Sequence, residues 1–354
     1  MANGAVLEDE NEMVPPSKTV HEMALDGDEP PPRYFVKQSK FGLIDASPPL
    51  ASIPTIDISL LSSNDDEELE KLRSALINSW GCFQAIGHGI PSSYLNKVRD
   101  VAREFFQLPK EEKKKCYRRS DNDSEGYGGD KILSEKQILD WSDRLSLKVL
   151  PQDERRLELW PETPTGFGGI IHEYSMKIKV IQDLLFKAIA KLLNLEENSF
   201  LNQFGERAIL TARFNFYPPS PKPNQVLGLK PHSDKSGFTV LLQNEVEGLQ
   251  ILKDNMWFRV ATIPHALVIN VGDQMQIMSN GTIKSPVHRA VTNSEMLRIS
   301  VSISNEAEKD KEIGPVDGLI DEKRPRLYRN VKNYAAINLE CFQKGEVAIE
   351  TVQV

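Results

Sequence analysis

Between Ala208 and Asn305 the chain breaks into short β-rich runs (LTARFNFY, FTVLLQ, LQILK, WFRVA, ALVINVG, HRAVT and ISVSI). Each run is stopped by a cluster of proline, glycine or asparagine, residues that end strands and make turns. Many short strands at this spacing fold into a sandwich or barrel, and the pattern fits a double-stranded β-helix, or jelly roll, over residues 206–310.

The rest of the chain has a different texture. Residues 1–50 are acidic and carry Pro15-Pro16, Pro30-Pro31-Pro32 and Pro48-Pro49, which predicts an extended arm with little regular structure of its own. Residues 51–205 read as a largely helical region that opens with two short strand patterns, IPTIDIS and CFQAIGHGI. In the stretch Glu67 to Trp80, in Ser92 to Gln107 and in Ile171 to Leu195, apolar residues recur at helical spacing. Residues 311–354 close the chain with a helical segment from about Tyr328 to Gln343. The predicted fold class is therefore mainly β with flanking helices.

The sequence has 354 residues, a formal charge of −8 and a hydrophobic fraction of 40%. Those values suit a soluble globular protein and argue against nucleic acid or anionic membranes as partners. Three cysteines, Cys82, Cys116 and Cys341, are far apart and odd in number. They form no C-x-x-C pair, which fits a reducing compartment. The first residues lack the basic start and apolar core of a signal peptide. The expected setting is the cytosol, and the expected state a monomer. SEGYGGD, residues 124–130, is glycine-rich but does not have the spacing of a phosphate-cradling loop.

Inside the β-rich stretch stand His232, Asp234, His288, Arg298 and Ser300. Two imidazoles and one carboxylate on one face of an octahedral metal leave three adjacent positions open, as a non-haem Fe(II) oxygenase requires. His232 and Asp234 are two apart, so on a strand they point the same way, and His288 must arrive from another strand. A 2-oxoacid can fill two of the open positions and dioxygen the third. Arg298 is suited to the far carboxylate of a dicarboxylate cosubstrate, since guanidinium offers two parallel hydrogen bonds. Ser300 shares its strand face, and Asn215 and Tyr217 share a face of RFNFYPP. Zinc is the rival metal, although no H-E-x-x-H element is present. A serine hydrolase has no G-x-S-x-G support either.

RFNFYPPSPKP, LGLKPHSDKSGFTVLLQ, VEGLQILKDNMWFRV, INVGDQMQIMSNG, KSPVHRAVTN and LRISVS resemble the plant 2-oxoglutarate/Fe(II)-dependent dioxygenases of specialised metabolism. Flavonol synthase, anthocyanidin synthase and the codeine and thebaine O-demethylases are among these. The resemblance runs from about Ile53 to Tyr334. It implies His232, Asp234 and His288 as iron ligands and Arg298, Ser300, Tyr217 and Asn215 as 2-oxoglutarate contacts. It also implies Fe(II), 2-oxoglutarate and O2 as cofactor and cosubstrates, with ascorbate in support. Three positions depart from the pattern: Gly87 where Asn is usual, Ser220 in place of Cys, and Ser304 where Phe is common.

The expected activity is hydroxylation or oxidative O-demethylation of a small, largely apolar plant metabolite. Tyr127, Arg213, Phe214, Val226, Phe238, Ser304 and Glu306 are the expected pocket walls. Two alternatives are an Fe(II) oxidase that does without 2-oxoglutarate, like aminocyclopropane-carboxylate oxidase, and a non-catalytic jelly-roll binding protein.

Overall fold

The computed structural model describes residues 18–36, 44, 48–120, 123–130, 132, 137–344 and 346–354. Its centre is a pair of sheets. The strands are β1 (Thr55–Asp57), β2 (Cys82–Ile86), β3 (Gly126–Gly128), β4 (Asp143–Leu150), β5 (Ile209–Tyr217), β6 (Leu227–His232), β7 (Phe238–Gln243), β8 (Leu249–Lys253), β9 (Met256–Arg259), β10 (Leu267–Val271), β11 (His288–Val291), β12 (Arg298–Glu306), β13 (Glu312–Ile313) and β14 (Val331–Lys332). The larger sheet has eight strands in the order β1-β2-β10-β7-β12-β5-β4-β3, and the smaller has four in the order β6-β11-β8-β9. Non-consecutive neighbours paired antiparallel across two sheets are the mark of a jelly roll. β13 and β14 form a separate small ladder.

β1 to β4 belong to the region expected to be largely helical, yet they supply both edges of the larger sheet. β4 pairs with β5 from Asp143↔Phe216 to Leu150↔Leu210, so the sheet joins the two regions through backbone hydrogen bonds. β1 and β3 are only three residues long, too short to show a period, whereas β4 alternates strictly over DRLSLKVL and its strand signal is present in the sequence.

One face of the larger sheet is covered by the helix Phe167–Leu192. The helix begins four residues before the expected Ile171, after Gly166 in a left-handed conformation at φ 81°. Ile178, Ile181, Leu185 and Ile189 are buried on it and pack into a single cluster with Phe214, Phe216, Val301 and Ile303 of the sheet. The second helix, Asp66–Arg73, is capped by Asp65, whose side chain accepts from the Glu68 amide at 2.8 Å. It widens into a π-helical turn over Ser74–Ser79. The closing helix runs from Tyr334 to Lys344, later than expected.

The arm is more ordered than its composition suggests. Its first 17 residues, with Pro15-Pro16, lie outside the described residues. Beyond them, Val20–Asp26 forms a helix with a capping box between Thr19 and Glu22. The Asp143 carboxylate accepts from the amides of Val20 and His21 at 3.2 and 3.1 Å. Val20, Met23 and Tyr34 then pack with Leu139, Trp141 and Val226. That apolar contact supplies the burial that the arm cannot achieve alone.

Candidate active site

β6 ends at His232, and Asp234 stands beyond it in the turn to β7. Strand alternation therefore does not bring these two together, contrary to the sequence expectation; the turn does. β11 begins at His288, which is in register with His232 across the β6–β11 ladder. The ring centroids of the two histidines are 4.3 Å apart. Asp234 Oδ1 lies 3.5 Å from His232 Nε2 and 3.7 Å from His288 Nε2.

Each histidine is held by its other nitrogen. His232 Nδ1 donates to the Lys230 carbonyl at 2.8 Å, and His288 Nδ1 to the Pro286 carbonyl at 3.1 Å. A carbonyl can only accept, so Nδ1 carries the proton and the Nε2 lone pairs converge on one point. Burial alone would raise the Asp234 pKa, but the positive charge that His288, and then His232, carries when protonated holds it below the usual carboxylate range. Burial lowers the His288 pKa, favouring the neutral ligand form. Asp234 Oδ2 is screened from solvent and has no hydrogen-bond partner among the described residues. One ligand atom from each of the three residues lies within 4.8 Å of the others. These residues fit a divalent metal with open positions.

The β5–β12 ladder builds the second part of the site. Arg298 pairs with Tyr217, Ser300 with Asn215 and Ser302 with Arg213, so these side chains all face the lumen between the sheets. Asn215 Nδ2 donates to Ser300 Oγ at 3.3 Å. The Arg298 guanidinium lies 4.9 Å above the Tyr217 ring and donates to Gln243 Oε1 at 3.0 Å. Its Nε has no partner among the described residues, and burial lowers its pKa. A buried cation with a spare donor is suited to a carboxylate.

Two glycines make space for this pair. A Cβ on Gly228 would meet Tyr217 Cδ1 at 2.6 Å, and one on Gly248 would meet Arg298 Cδ at 2.7 Å. Gly228, Gly248 and Gln243 were missed in the sequence because their role depends on a neighbouring strand.

The expected pocket walls divide by strand parity. Ser304 faces the lumen, because β12 continues through it to Glu306. Glu306 is buried and pairs with Lys235 at 2.9 Å, one residue after Asp234. Arg213 is also on the lumen face.

The other four do not line the lumen. Phe214 points to the opposite face and packs 5.3 Å from Phe167. Phe238 packs 4.8 Å from Phe186 beneath the long helix. Tyr127 is buried against Phe105 and Phe106, with its hydroxyl on Asp143 at 3.0 Å. Val226 is sealed under the arm. The lumen thus combines the polar side chains of β5 and β12 with apolar ones from neighbouring strands, Leu241, Val268 and Ile251, which share the faces of Ser302 and His288.

A triad able to hold a metal, beside a buried cation suited to a carboxylate inside a jelly roll, is the arrangement a non-haem, metal-dependent oxygenase requires. The 2OG-Fe(II) oxygenase superfamily model matches residues 208–304, and the model of the non-haem dioxygenase in morphine synthesis N-terminal region matches 53–163. The chain is 39% identical over 306 residues to Protein SRG1 of Arabidopsis thaliana, covering 85% of each protein. It is 40% identical over 283 residues to codeine O-demethylase of Papaver somniferum, covering 78% of each. The crystal structure of JOX2 with 2OG, Fe and JA superposes with a TM-score of 0.86 at 32% identity, covering 96% of this chain and 98% of that one. The chain belongs to the 2OG-Fe(II) oxygenase superfamily. It is a 2-oxoglutarate-dependent non-haem iron dioxygenase, and its cofactor and cosubstrates are Fe(II), 2-oxoglutarate and O2. The alternatives of a 2-oxoglutarate-independent oxidase and a non-catalytic binding protein are set aside.

Proposed function

We propose that the enzyme hydroxylates or oxidatively O-demethylates a small plant metabolite, with His232, Asp234 and His288 as its iron ligands. The observation that carries this is the convergence of two Nε2 lone pairs and the Asp234 carboxylate at the lumen end of β6 and β11. Arg298 takes the distal carboxylate of 2-oxoglutarate on its unpartnered Nε–H, aided by the Ser300 hydroxyl. Tyr217 supports the guanidinium from below, and Asn215 fixes Ser300. When bound, Fe(II), 2-oxoglutarate and dioxygen would supply the oxidising chemistry: the 2-oxoacid loses carbon dioxide to become succinate, which takes one oxygen atom, and the other goes to the substrate.

The chain's own residues orient the reactants and keep bulk water from them. Lys230 and Pro286 carbonyls fix the imidazole tautomers. The carboxylate at Asp234 fills the position that a halogenase leaves vacant for halide. Similar proteins include codeine O-demethylase, a flavonol synthase/flavanone 3-hydroxylase of Eustoma exaltatum subsp. russellianum and the flavonoid 7-O-demethylase 1 of Ocimum basilicum. Those names support an alkaloid, a flavonoid or a similar secondary metabolite as the substrate class.

The test is incubation of the Fe(II)-loaded enzyme with 2-oxoglutarate and fractionated plant extracts, following product masses and succinate. Succinate formed in step with a gain of one oxygen or a loss of one methylene supports the reading. Absence of any 2-oxoglutarate turnover with bound iron would refute it. A monomeric, cytosolic enzyme remains part of the proposal, tested by light scattering and a fluorescent fusion in plant cells.

A further inference from the structure

Among the described residues, two cations on the lumen face have no carboxylate against them, Arg298, which the cosubstrate answers, and Arg213. Arg144 on β4 stands opposite Asn215, and Arg213 stands opposite Ser146. The two guanidiniums are thus diagonal neighbours on one face. Arg144 is paired with Asp130 and with Asp140, the latter at 3.1 Å. Lys230 contacts the same two carboxylates at 2.5 and 2.7 Å. Two cations face two anions, and that group is closed. Lys235 and Glu306 close another pair at 2.9 Å.

Among the described residues, Arg213 has a neutral hydrogen-bond partner only, the Asn215 Oδ1 that accepts from its Nε at 2.9 Å. Its Nη2 is screened from solvent and has no partner among the described residues, and the same holds for Arg144 Nε. Burial, and next the nearby Arg144, push the Arg213 pKa down to about 10, which still leaves it charged at neutral pH. Asp140 and Asp130 offset this only from a distance, being paired with Arg144 and Lys230. A buried guanidinium without a contacting counter-ion is costly, so among the described residues the site lacks one anion.

That anion is not 2-oxoglutarate. On the proposed function, the metal's two positive charges are met by Asp234 and one carboxylate of the cosubstrate, and Arg298 meets the other. Arg213 stays uncompensated. Its row, Ser146–Arg213–Ser302, lies between the Asn215–Ser300 row and the Thr211–Ser304–Thr239 row, whose Thr239 is near enough to Asp234 to help lower its pKa. Arg213 therefore sits beside the metal site, in the part of the lumen left for the substrate.

We propose that the substrate is an anion, a monocarboxylic acid, whose carboxylate rests on Arg213 Nη2 and Arg144 Nε. This rests on the oxygenase reading above and narrows its substrate class. A single surplus positive charge suits a monoanion, and a planar carboxylate matches guanidinium donors. Neutral esters or glycosides of the same skeleton would leave Arg213 uncompensated and bind poorly.

The experiment uses the full chain loaded with redox-silent Mn(II) and 2-oxoglutarate, titrated calorimetrically. The probes are three acids, cinnamic, coumaric and decanoic, each paired with its methyl ester. The expected result is that at least one acid binds about ten-fold or more tighter than its ester. Arg213→Gln should bring that acid down to the affinity of the ester, and Arg213→Lys should keep part of the difference. Both variants should retain Mn(II) affinity within about two-fold, and should weaken 2-oxoglutarate, through the Arg213–Asn215–Ser300 hydrogen bonds, by less than they weaken the acid. The acid–ester contrast is read on the unmodified protein, so a folding defect in a variant does not obscure it.

The proposal is overturned if no acid outperforms its ester. It is also overturned if Arg213→Gln weakens 2-oxoglutarate as much as it weakens the acid, since Arg213 then serves the cosubstrate. If Mn(II) and 2-oxoglutarate themselves fail to bind, the oxygenase reading fails instead.

Discussion

The two faces of β5 and β12 differ more than any two separate elements of the molecule. On one face Phe214, Phe216, Ile299, Val301 and Ile303 are at most 3% exposed and pack in one apolar cluster with the long helix. On the other, Arg213, Asn215, Arg298, Ser300 and Ser302 carry hydrogen-bonding groups into the lumen, some of them unpartnered. The backbone ladder is the same for both, and only residue parity decides the face. Stability and chemistry are therefore interleaved along a single strand. Substitutions one residue apart should fail in different ways.

The largest effect is expected at the triad. His232→Ala or Asp234→Ala should weaken Fe(II) by more than about 100-fold and abolish turnover, while unfolding temperature changes little, because a facial site needs all three ligands. Equilibrium dialysis against Fe(II) under nitrogen, beside a thermal melt, checks both halves. The converse variant is Phe214→Ala. It should cost roughly 3–5 kcal/mol of stability by leaving a cavity, yet keep metal affinity in the folded fraction. A Phe214→Ala protein that melts normally but loses iron would erase the contrast between the faces.

Next in size is Arg298→Lys. It keeps the charge and loses the planar fork, and a charge-assisted bond of about 1.5–3 kcal/mol corresponds to roughly ten- to hundred-fold in the Michaelis constant for 2-oxoglutarate. Its neighbour in the opposite phase, Ile299→Ala, should cost about 2–5 kcal/mol of stability and leave that constant alone. Steady-state kinetics at varied 2-oxoglutarate, with urea melts of both variants, tests the pair. Ser304→Phe should have a smaller and more selective effect. A ring in the lumen crowds the substrate, so turnover of substrate falls while uncoupled 2-oxoglutarate decarboxylation continues. Equal loss of both activities would place Ser304 outside the substrate space.

Parity also explains what was legible in the sequence. Arg298 and Ser300, or Asn215 and Tyr217, are two apart on strands, and their shared face follows from spacing alone. The same rule places Phe214 on the far side from Arg213 and Asn215, so its assignment to the pocket contradicted a signal already present. Tyr127 offered no such signal. Its face is set by pairing with Leu145 across the β3–β4 ladder, which a three-residue strand does not announce. Asp130, Asp140, Arg144 and Lys230 come together from separate strands and loops, and no local pattern marks them as one group. The docked arm was illegible for the same reason, because its helix is stabilised by Asp143 and Trp141, far along the chain.

The smallest expected effect concerns that arm. His21 lies 4.6 Å from the Phe216 ring and 3.2 Å from Lys113 Nζ, with Glu22 beside it and Asp143 on its amide. Burial first, then Lys113, lower its pKa to about 4. The native state thus binds fewer protons than the unfolded chain between about pH 4 and 6.5, so stability rises with pH across that window and is lost on acidification. Since His21 is only partly buried, the contribution is on the order of 1 kcal/mol. Hydrogen exchange at residues 18–36 should therefore accelerate between pH 7 and pH 5 relative to the β5–β12 ladder, and His21→Phe should blunt the difference. Uniform acceleration across both regions would contradict a local docking equilibrium.

The central proposal is that the lumen face, and no other part among the described residues, assembles one iron and one 2-oxoglutarate site. Its most direct test is an anaerobic spectrophotometric titration with Fe(II) and then 2-oxoglutarate, following the visible metal-to-ligand charge-transfer band. The account expects one equivalent of each per chain, loss of the band in Asp234→Ala and a weaker 2-oxoglutarate midpoint in Arg298→Lys. An unchanged band and stoichiometry in Asp234→Ala would contradict it.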